Sequence, residues 1–540
     1  MFYLLAFIMA TVISVAVIPL MWRLAPKLGM IDRPDPRKVH RVPVARVGGW
    51  GITLGTLLSV AILLPLEPAV VTYIFGGLVL LAFGSWDDSR EAGHYTKFVG
   101  QLIAVIPVVT HGGLVIDVLP FVDAKLPAEI GIPFTVFAMV GMINAINHSD
   151  GLDGLAGGEA LMSLVAMVFL AYAQGGNEVV LIAAATLGSI VGFLRYNTHP
   201  ARVFMGDSGS QFLGFTVAVL AVWLVTRIDP ALSPALPALF LGLPVIDILA
   251  VLAQRISGGM NWFRATRNHI HHRLLDLGFD HYETVLVIYS VQALFVSSAL
   301  LLRYDWDHVI LALYLGVAVM VFALLTLAER TGWRLRRDKR ESRVTRAIKT
   351  IRSHPLMHRG SLVVVALAVP LFLVIGSLSV SKVPSDFAAL STAAFIVLLL
   401  QLALGNPANS LIGRIPIYVA AMFIAYLSVK YPPLAFVRER FGLELAFFSA
   451  LAIAVAIAVR VKDRGFEVTP TDYLIVFVVT AAGLLVKHYF NEDDVSELLL
   501  KGVIVLYACE FLIQGAGRWS GLSVSSLTAL GVLGVRGLLF

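Results

Sequence analysis

Long apolar blocks separated by short polar stretches run through the whole chain. The first eleven fall at residues 2–21, 47–65, 69–86, 98–118, 129–147, 155–174, 178–194, 211–226, 235–254, 284–302 and 306–327. About 20 apolar residues cross a bilayer core of roughly 30 Å, so each block predicts a transmembrane helix. A basic, polar stretch at 328–360 interrupts the pattern. Six further blocks follow near 361–380, 386–404, 414–429, 443–459, 472–487 and 497–514, with a seventh at 521–540. The pattern predicts an all-α, polytopic integral membrane protein in three parts. These are a membrane core at 1–327, a linker or amphipathic surface helix at 328–360, and a further membrane region at 361–540.

Composition agrees with this class. The 540 residues are 58% apolar and only 14% charged, whereas soluble chains are nearer 45–50% and about 25%. The first block lacks a basic leader and a small-residue cleavage site, so it is expected to remain as an anchor. A single cysteine, Cys509, excludes an intramolecular disulfide and any cysteine-based metal cluster. The net charge of +6 is no nucleic-acid signal, because the basic residues collect in particular loops. Alternate loops at 22–46, 87–97, 148–154, 195–210, 255–283 and 328–360 hold nearly all of those in the first eleven-span block, while the opposite set holds only Lys125, Arg227 and Arg303. The positive-inside rule therefore puts the first set in the cytoplasm and the N-terminus outside.

The polar clusters with chemical potential fall on that same side. They are "WDDSR" with Asp87 and Asp88, "NHSDGLDG" with Asn147, Asp150 and Asp153, "FMGDSGS" with Asp207, and "NHIHHRL" with His269, His271, His272 and Arg273. Acids at membrane depth are costly unless they are paired, hydrated or holding something. Hard oxygens without thiols suit Mg²⁺, with Mn²⁺ as the alternative. Adjacent Asp87 and Asp88 cannot share a helix face, so one is expected to meet a ligand while the other turns elsewhere. Gly206 beside Asp207 lets the backbone approach a ligand. On a helix, His269 and His272 would share one face and His271 another. That spacing suits zinc, but no fourth ligand of the usual kind lies nearby, and the surrounding arginines favour phosphate. Lys97 either snorkels to headgroups or meets an anionic group on a lipid. Such a face fits an enzyme that joins a nucleotide-activated group to a lipid phosphate, which needs charge neutralisation and positioning.

Six motifs in order carry a family resemblance: "DRPDPRKVHRVPVARVGG" (32–49), "GSWDDSREAGHYTKFVGQ" (84–101), "NAINHSDGLDGLAGG" (144–158), "NTHPARVFMGDSGSQFLG" (197–214), "PVID" (244–247) and "HIHHRL" (269–274). Together they resemble the polyprenyl-phosphate N-acetylhexosamine-1-phosphate transferases of glycosyltransferase 4 type, over roughly residues 1–327. The resemblance implies Mg²⁺ on Asp207 with help from Asn147, and a catalytic set of Asp87, Asp88, Asp207 and His272. It implies substrate contacts from Lys38, Lys97, Asn147, Asp150, Asp153, Asn197, Phe204, His269, His271 and Arg273. Among these, Lys97 would lie near the lipid phosphate and Phe204 would stack on uridine. Asp153 and Asn197 would also surround the uridine, with the histidine loop near the pyrophosphate and sugar. Direct attack and an aspartyl-phosphate intermediate are both compatible with these residues.

"HIHHRL" looks like the branch that uses UDP-N-acetylglucosamine and undecaprenyl phosphate. Another UDP-N-acetylhexosamine or UDP-MurNAc-pentapeptide is the alternative within the same chemistry. The implied setting is a bacterial inner membrane, at the start of O-antigen, teichoic acid or exopolysaccharide synthesis. A homodimer, and downstream glycosyltransferases docking on the C-terminal region, are further expectations. The region beyond 327 departs from the family pattern and carries no chemical motif. The competing class is a transporter, but transporter sites tend to lie at the midplane on broken helices, often in inverted repeats, whereas these acids lie at span ends.

Overall fold

The computed structural model describes residues 2–34, 42–121, 124–259, 268–335, 355–403, 411–431, 446–455, 493–515 and 520–539. Among them, 12 helices are long and apolar enough to cross a membrane. The chain is a multi-pass, all-α membrane protein. The described residues fall into two compact units, one running up to Leu335 and one starting at Pro355.

The first unit contains α1 (Phe2–Leu28), α2 (Gly48–Leu63), α3 (Pro68–Arg90), α4 (His94–Thr110), α5 (Ala128–Ser149), α6 (Leu155–Ala173) and α7 (Asn177–Asn197). It continues with α8 (Gly206–Trp223, extended by a π turn to Ile228), α9 (Pro237–Phe240), α10 (Gly242–Ser257), α11 (Ile270–Asp276), α12 (His281–Leu301) and α13 (Asp307–Arg330). Three expected spans come out short, since α2, α4 and α10 have 16, 17 and 16 residues. At 1.5 Å per residue they reach only about 24–26 Å, less than the hydrocarbon thickness. At α10 the cause is Leu241, whose backbone (φ −114°, ψ 42°) separates it from α9.

Helix α8 is the axis of this unit. Every residue from Ser208 to Trp223 is buried, and α2, α3, α5 and α6 pack around it. The close approach depends on glycine. A Cβ on Gly49 would lie 2.3 Å from Gly209 N, and one on Gly84 would lie 2.4 Å from Ser208 Cα. Small residues thus bring α2 and α3 against the α8 backbone, which fixes the Gly206–Asp207 turn. Inside the bundle the Gln101 amide nitrogen donates to Gln211 Oε1 (3.0 Å), and Asn144 Nδ2 donates to Gln101 Oε1 (2.9 Å). Polar groups from three helices therefore bond to one another at membrane depth.

A three-stranded sheet lies among these helices. Strands β1 (Ile31–Asp32) and β2 (Val44–Arg46) are antiparallel, with Ile31 opposite Ala45; β3 (Val203–Phe204) runs parallel to β2, with Arg46 opposite Phe204. Strands of two or three residues carry no readable periodicity, so the hydropathy pattern could not announce them.

In the second unit, helices at Pro355–Ser379, Ser385–Ala403, Leu411–Lys430, Ala446–Val455, Asp493–Gly515 and Ser520–Leu539 surround an apolar core that includes Leu373, Ile424, Cys509 and Leu530. Arg414 pairs with Glu510 at 3.0 Å, and Tyr418 donates to the same carboxylate, so this acid on an apolar helix is compensated. The expected span at 472–487 and the basic residues 336–354 lie outside the described residues.

Candidate active site

The site begins at the N-terminus of α8. A helix start leaves backbone N–H groups without intrahelical partners, and α8 draws its partner from another helix. Asp88, buried near the end of α3, accepts from Asp207 N (2.8 Å), Ser208 N (3.1 Å) and Ser208 Oγ (3.0 Å). Gly206 makes this possible. Its φ is +74°, and a Cβ there would fall 2.6 Å from Asp88 Oδ2. The glycine expected to admit a ligand therefore admits the Asp88 carboxylate.

Asp87, one residue earlier, points elsewhere, as adjacency on a helix requires. It pairs with Lys97 Nζ at 2.8 Å and accepts from Gly93 N at 3.2 Å. Lys97 also reaches Asp207 Oδ2 at 2.7 Å, so one ammonium bridges two carboxylates from different helices. Asn147, near the end of α5, donates from Nδ2 to Asp207 Oδ1 and to Ser210 Oγ. With its amide hydrogens used in this way, its oxygen is the atom that could serve a cation.

These groups border a cavity of about 520 Å³ lined by Arg46, Asp88, Asn147, Asp150, Asp153, Asn197, Phe204, Asp207, His271 and His272, among others. That volume suits a small-molecule site. Asn197 braces the wall by accepting from Gly154 N (2.7 Å) and donating to Val203 O (2.9 Å). Asp153 accepts from Ala201 N at 3.0 Å and pairs with His199 at 2.6 Å. Arg46, held by Asp32, presents its charge from β2.

The histidine loop differs from the helical-spacing expectation. Helix α11 starts only at Ile270, and His269 has extended backbone (φ −65°, ψ 150°), so the three-residue spacing does not apply to it. His269 instead pairs with Asp247 of α10 at 2.7 Å, and Ile270 N donates to the same carboxylate at 2.9 Å. Asp247 thereby anchors the start of α11, which turns His271 and His272 into the cavity. Gly151 allows this, since a Cβ there would lie 2.3 Å from His271 Nε2. Arg273 faces away, bonded to Glu329 (2.6 and 2.9 Å) and Thr326 (3.2 Å) on α13. Lys38 lies outside the described residues.

The field in the cavity follows from burial. His271 is pushed well below its ordinary value by burial and by neighbouring His272 and His269, so its ring is neutral. Asp150 is pushed up to about 7 by burial, then by the charges of Asp207 and Asp88. Its proton is retained on folding, so the unfolded chain ionises first and stability is lost as pH rises from about 4 to 7. Asp150→Asn removes this term. In chelator-treated protein, its melting temperature relative to wild type is expected to be higher at pH 8 than at pH 5; an offset independent of pH would contradict the shift.

The donor set suits a hard cation. Asp207, the Asn147 amide oxygen and Asp150 supply oxygens without a thiol, and the Lys97 ammonium already occupies a cation's place between two acids. Asp32, Arg46, His199 and His281 line the cavity as well, and sequence reasoning assigned them no role. Asp32, Arg46 and His199 stand inside quoted motifs, where the surrounding pattern was the available signal, whereas His281 opens α12 without one.

Residues 70–225 match glycosyl transferase family 4. Over 333 residues the chain is 32% identical to a probable undecaprenyl-phosphate N-acetylglucosaminyl 1-phosphate transferase of Bacillus subtilis, covering 61% of this chain and 91% of that protein. It is 30% identical over 340 residues to an undecaprenyl-phosphate alpha-N-acetylglucosaminyl 1-phosphate transferase of Haemophilus influenzae, covering 60% and 94%. A decaprenyl-phosphate N-acetylglucosaminephosphotransferase of Mycobacterium tuberculosis is 31% identical over 298 residues, covering 49% and 74%.

Proposed function

Because the chain belongs to glycosyl transferase family 4, we propose that it transfers N-acetylglucosamine-1-phosphate from UDP-GlcNAc to undecaprenyl phosphate and releases UMP. The observation that carries this reading is the meeting of Asp87, Asp207 and Lys97, from three helices, beside a cavity of nucleotide-sugar size. An oxygen of the lipid phosphate forms a bond to the sugar-bearing phosphorus, and the bond from that phosphorus to the UMP oxygen breaks. Phosphoryl transfer of this kind asks the protein for position and charge rather than covalent chemistry.

On this reading, Asp207 and Asn147 would hold Mg²⁺, with Mn²⁺ as the alternative, and a bound ion would supply charge neutralisation for the diphosphate. Lys97 attracts the acceptor phosphate, with Asp87 setting its position. Asp88 holds the α8 turn that aims Asp207. Phe204 offers a stacking face for uracil, while neutral His271 and adjacent His272 offer ring nitrogens to the sugar phosphate. The loop charges favour a cytoplasmic face, which in a bacterial inner membrane is where UDP-sugars are supplied. The product would start a cell-envelope polysaccharide.

The test gives purified protein labelled UDP-GlcNAc, undecaprenyl phosphate and Mg²⁺. Equal appearance of UMP and labelled lipid is expected; no lipid product would contradict the proposal. Truncation after residue 345 is expected to leave measurable transfer, since every cavity-lining residue lies between Asp32 and His281. A folded but inactive truncation would show that the second unit contributes to turnover.

A further inference from the structure

At one rim of the cavity, a second group of side chains comes together that the proposed transfer does not use as a set. Asp153 comes from the loop after α5, His199 from the loop after α7, and His281 from the first turn of α12. One carboxylate oxygen and one nitrogen from each ring all lie within 4.8 Å of one another. The two imidazoles stack with centroids 3.9 Å apart and planes 19° apart.

The hydrogen bonding leaves this group open to a metal. His199 Nδ1 sits 2.6 Å from Asp153 Oδ2, so a proton occupies the line a metal–ligand pair would use. His281 Nε2 donates to Asp153 O at 3.3 Å. That assigns the lone pair to His281 Nδ1, which is buried and finds no hydrogen-bond partner among the described residues. Buried polar atoms are rarely left so.

We propose that Asp153, His199 and His281 form a binding site for a zinc-class divalent ion. Two imidazoles and one carboxylate suit Zn²⁺ rather than Mg²⁺, which prefers oxygen. Bonds of about 2.0–2.2 Å in a tetrahedron put ligand atoms roughly 3.3–3.5 Å apart, so small side-chain rotations close the set. Three protein ligands leave a fourth position to water or to a ligand in the cavity. The ion would clip three segments that are distant in sequence across the cavity rim. This binding does not depend on the proposed transfer.

The test is Zn²⁺ titration of the full-length, chelator-stripped protein in excess Mg²⁺, by calorimetry and by the rise in melting temperature that binding to the folded state produces. One Zn²⁺ per chain is expected. His199→Asn and His281→Gln should each weaken binding by at least about 100-fold, whereas His272→Gln should not, which separates this set from the neighbouring histidine loop. Co²⁺ bound to the unsubstituted protein should give the intense visible absorption of a four-coordinate site, a readout that needs no variant to fold. Absence of stoichiometric Zn²⁺, unchanged affinity in both histidine variants, or a weak six-coordinate Co²⁺ spectrum would each overturn the site. A protein that binds Zn²⁺ yet releases no UMP would retain this inference and lose the transfer.

Discussion

Asp207→Asn is expected to lower UMP release by at least about 10³-fold, while the chain still inserts and purifies. The substitution keeps the shape of the side chain, so the packing of α8 is not at issue. What changes is charge. Lys97 lies between Asp87 and Asp207, and it loses one of its two partners. Asn147 donates to Asp207 Oδ1, where an amide placed with its nitrogen toward Asn147 would present a donor to a donor. On the proposed reading, the cation loses its anionic ligand as well. Steady-state assay with matched protein amounts checks this. A rate near wild type would remove Asp207 from the centre of the chemistry.

Asp88→Ala is expected to act first on stability. Asp88 is 4% exposed and accepts three hydrogen bonds from the start of α8. Removing it leaves those donors without their acceptor, at a cost of about 3–5 kcal/mol when partial relaxation is allowed for. Activity should fall with it, because the same turn aims Asp207. Asp88→Asn, which keeps one acceptor oxygen, should lie between. Melting of the detergent-solubilised variants, read beside their UMP release, measures both effects. An Asp88→Ala protein as stable as wild type would mean that α8 does not depend on this cap.

The sequence exposes some parts of this arrangement and hides others, for physical reasons. Spans such as α1 and α13 are long and uniformly apolar, so hydropathy places them. Helices α2, α4 and α10 look alike in composition, but their ends depend on tertiary contacts and on a backbone break at Leu241 that no apolar count reveals. Adjacency of Asp87 and Asp88 forces them apart, and the structure gives one to Lys97 and the other to the α8 turn. The motif around Asp207 marks an important place, yet only the folded chain shows that Gly206 makes room for Asp88.

The histidine loop shows where periodicity misleads. Treating residues 269–272 as one helix groups His269 with His272, but the helix starts one residue later and His269 goes to Asp247. Arg273, counted with the substrate contacts on resemblance, is bonded to Glu329 and Thr326. Arg46 and Asp32 reach the cavity through a sheet too short to leave a pattern. His281 is invisible in the sequence because its proximity to Asp153 and His199 arises only when α12 packs beside the loops that follow α5 and α7.

The most direct test of a divalent ion held by Asp207 and Asn147 from separate helices is paramagnetic resonance of Mn²⁺ added to the purified protein with UDP-GlcNAc. One tightly bound Mn²⁺ per chain, lost in Asp207→Asn and displaced by Mg²⁺, is the expected result. Mn²⁺ bound equally well by the Asp207→Asn protein, or not bound at all by wild type, would contradict it.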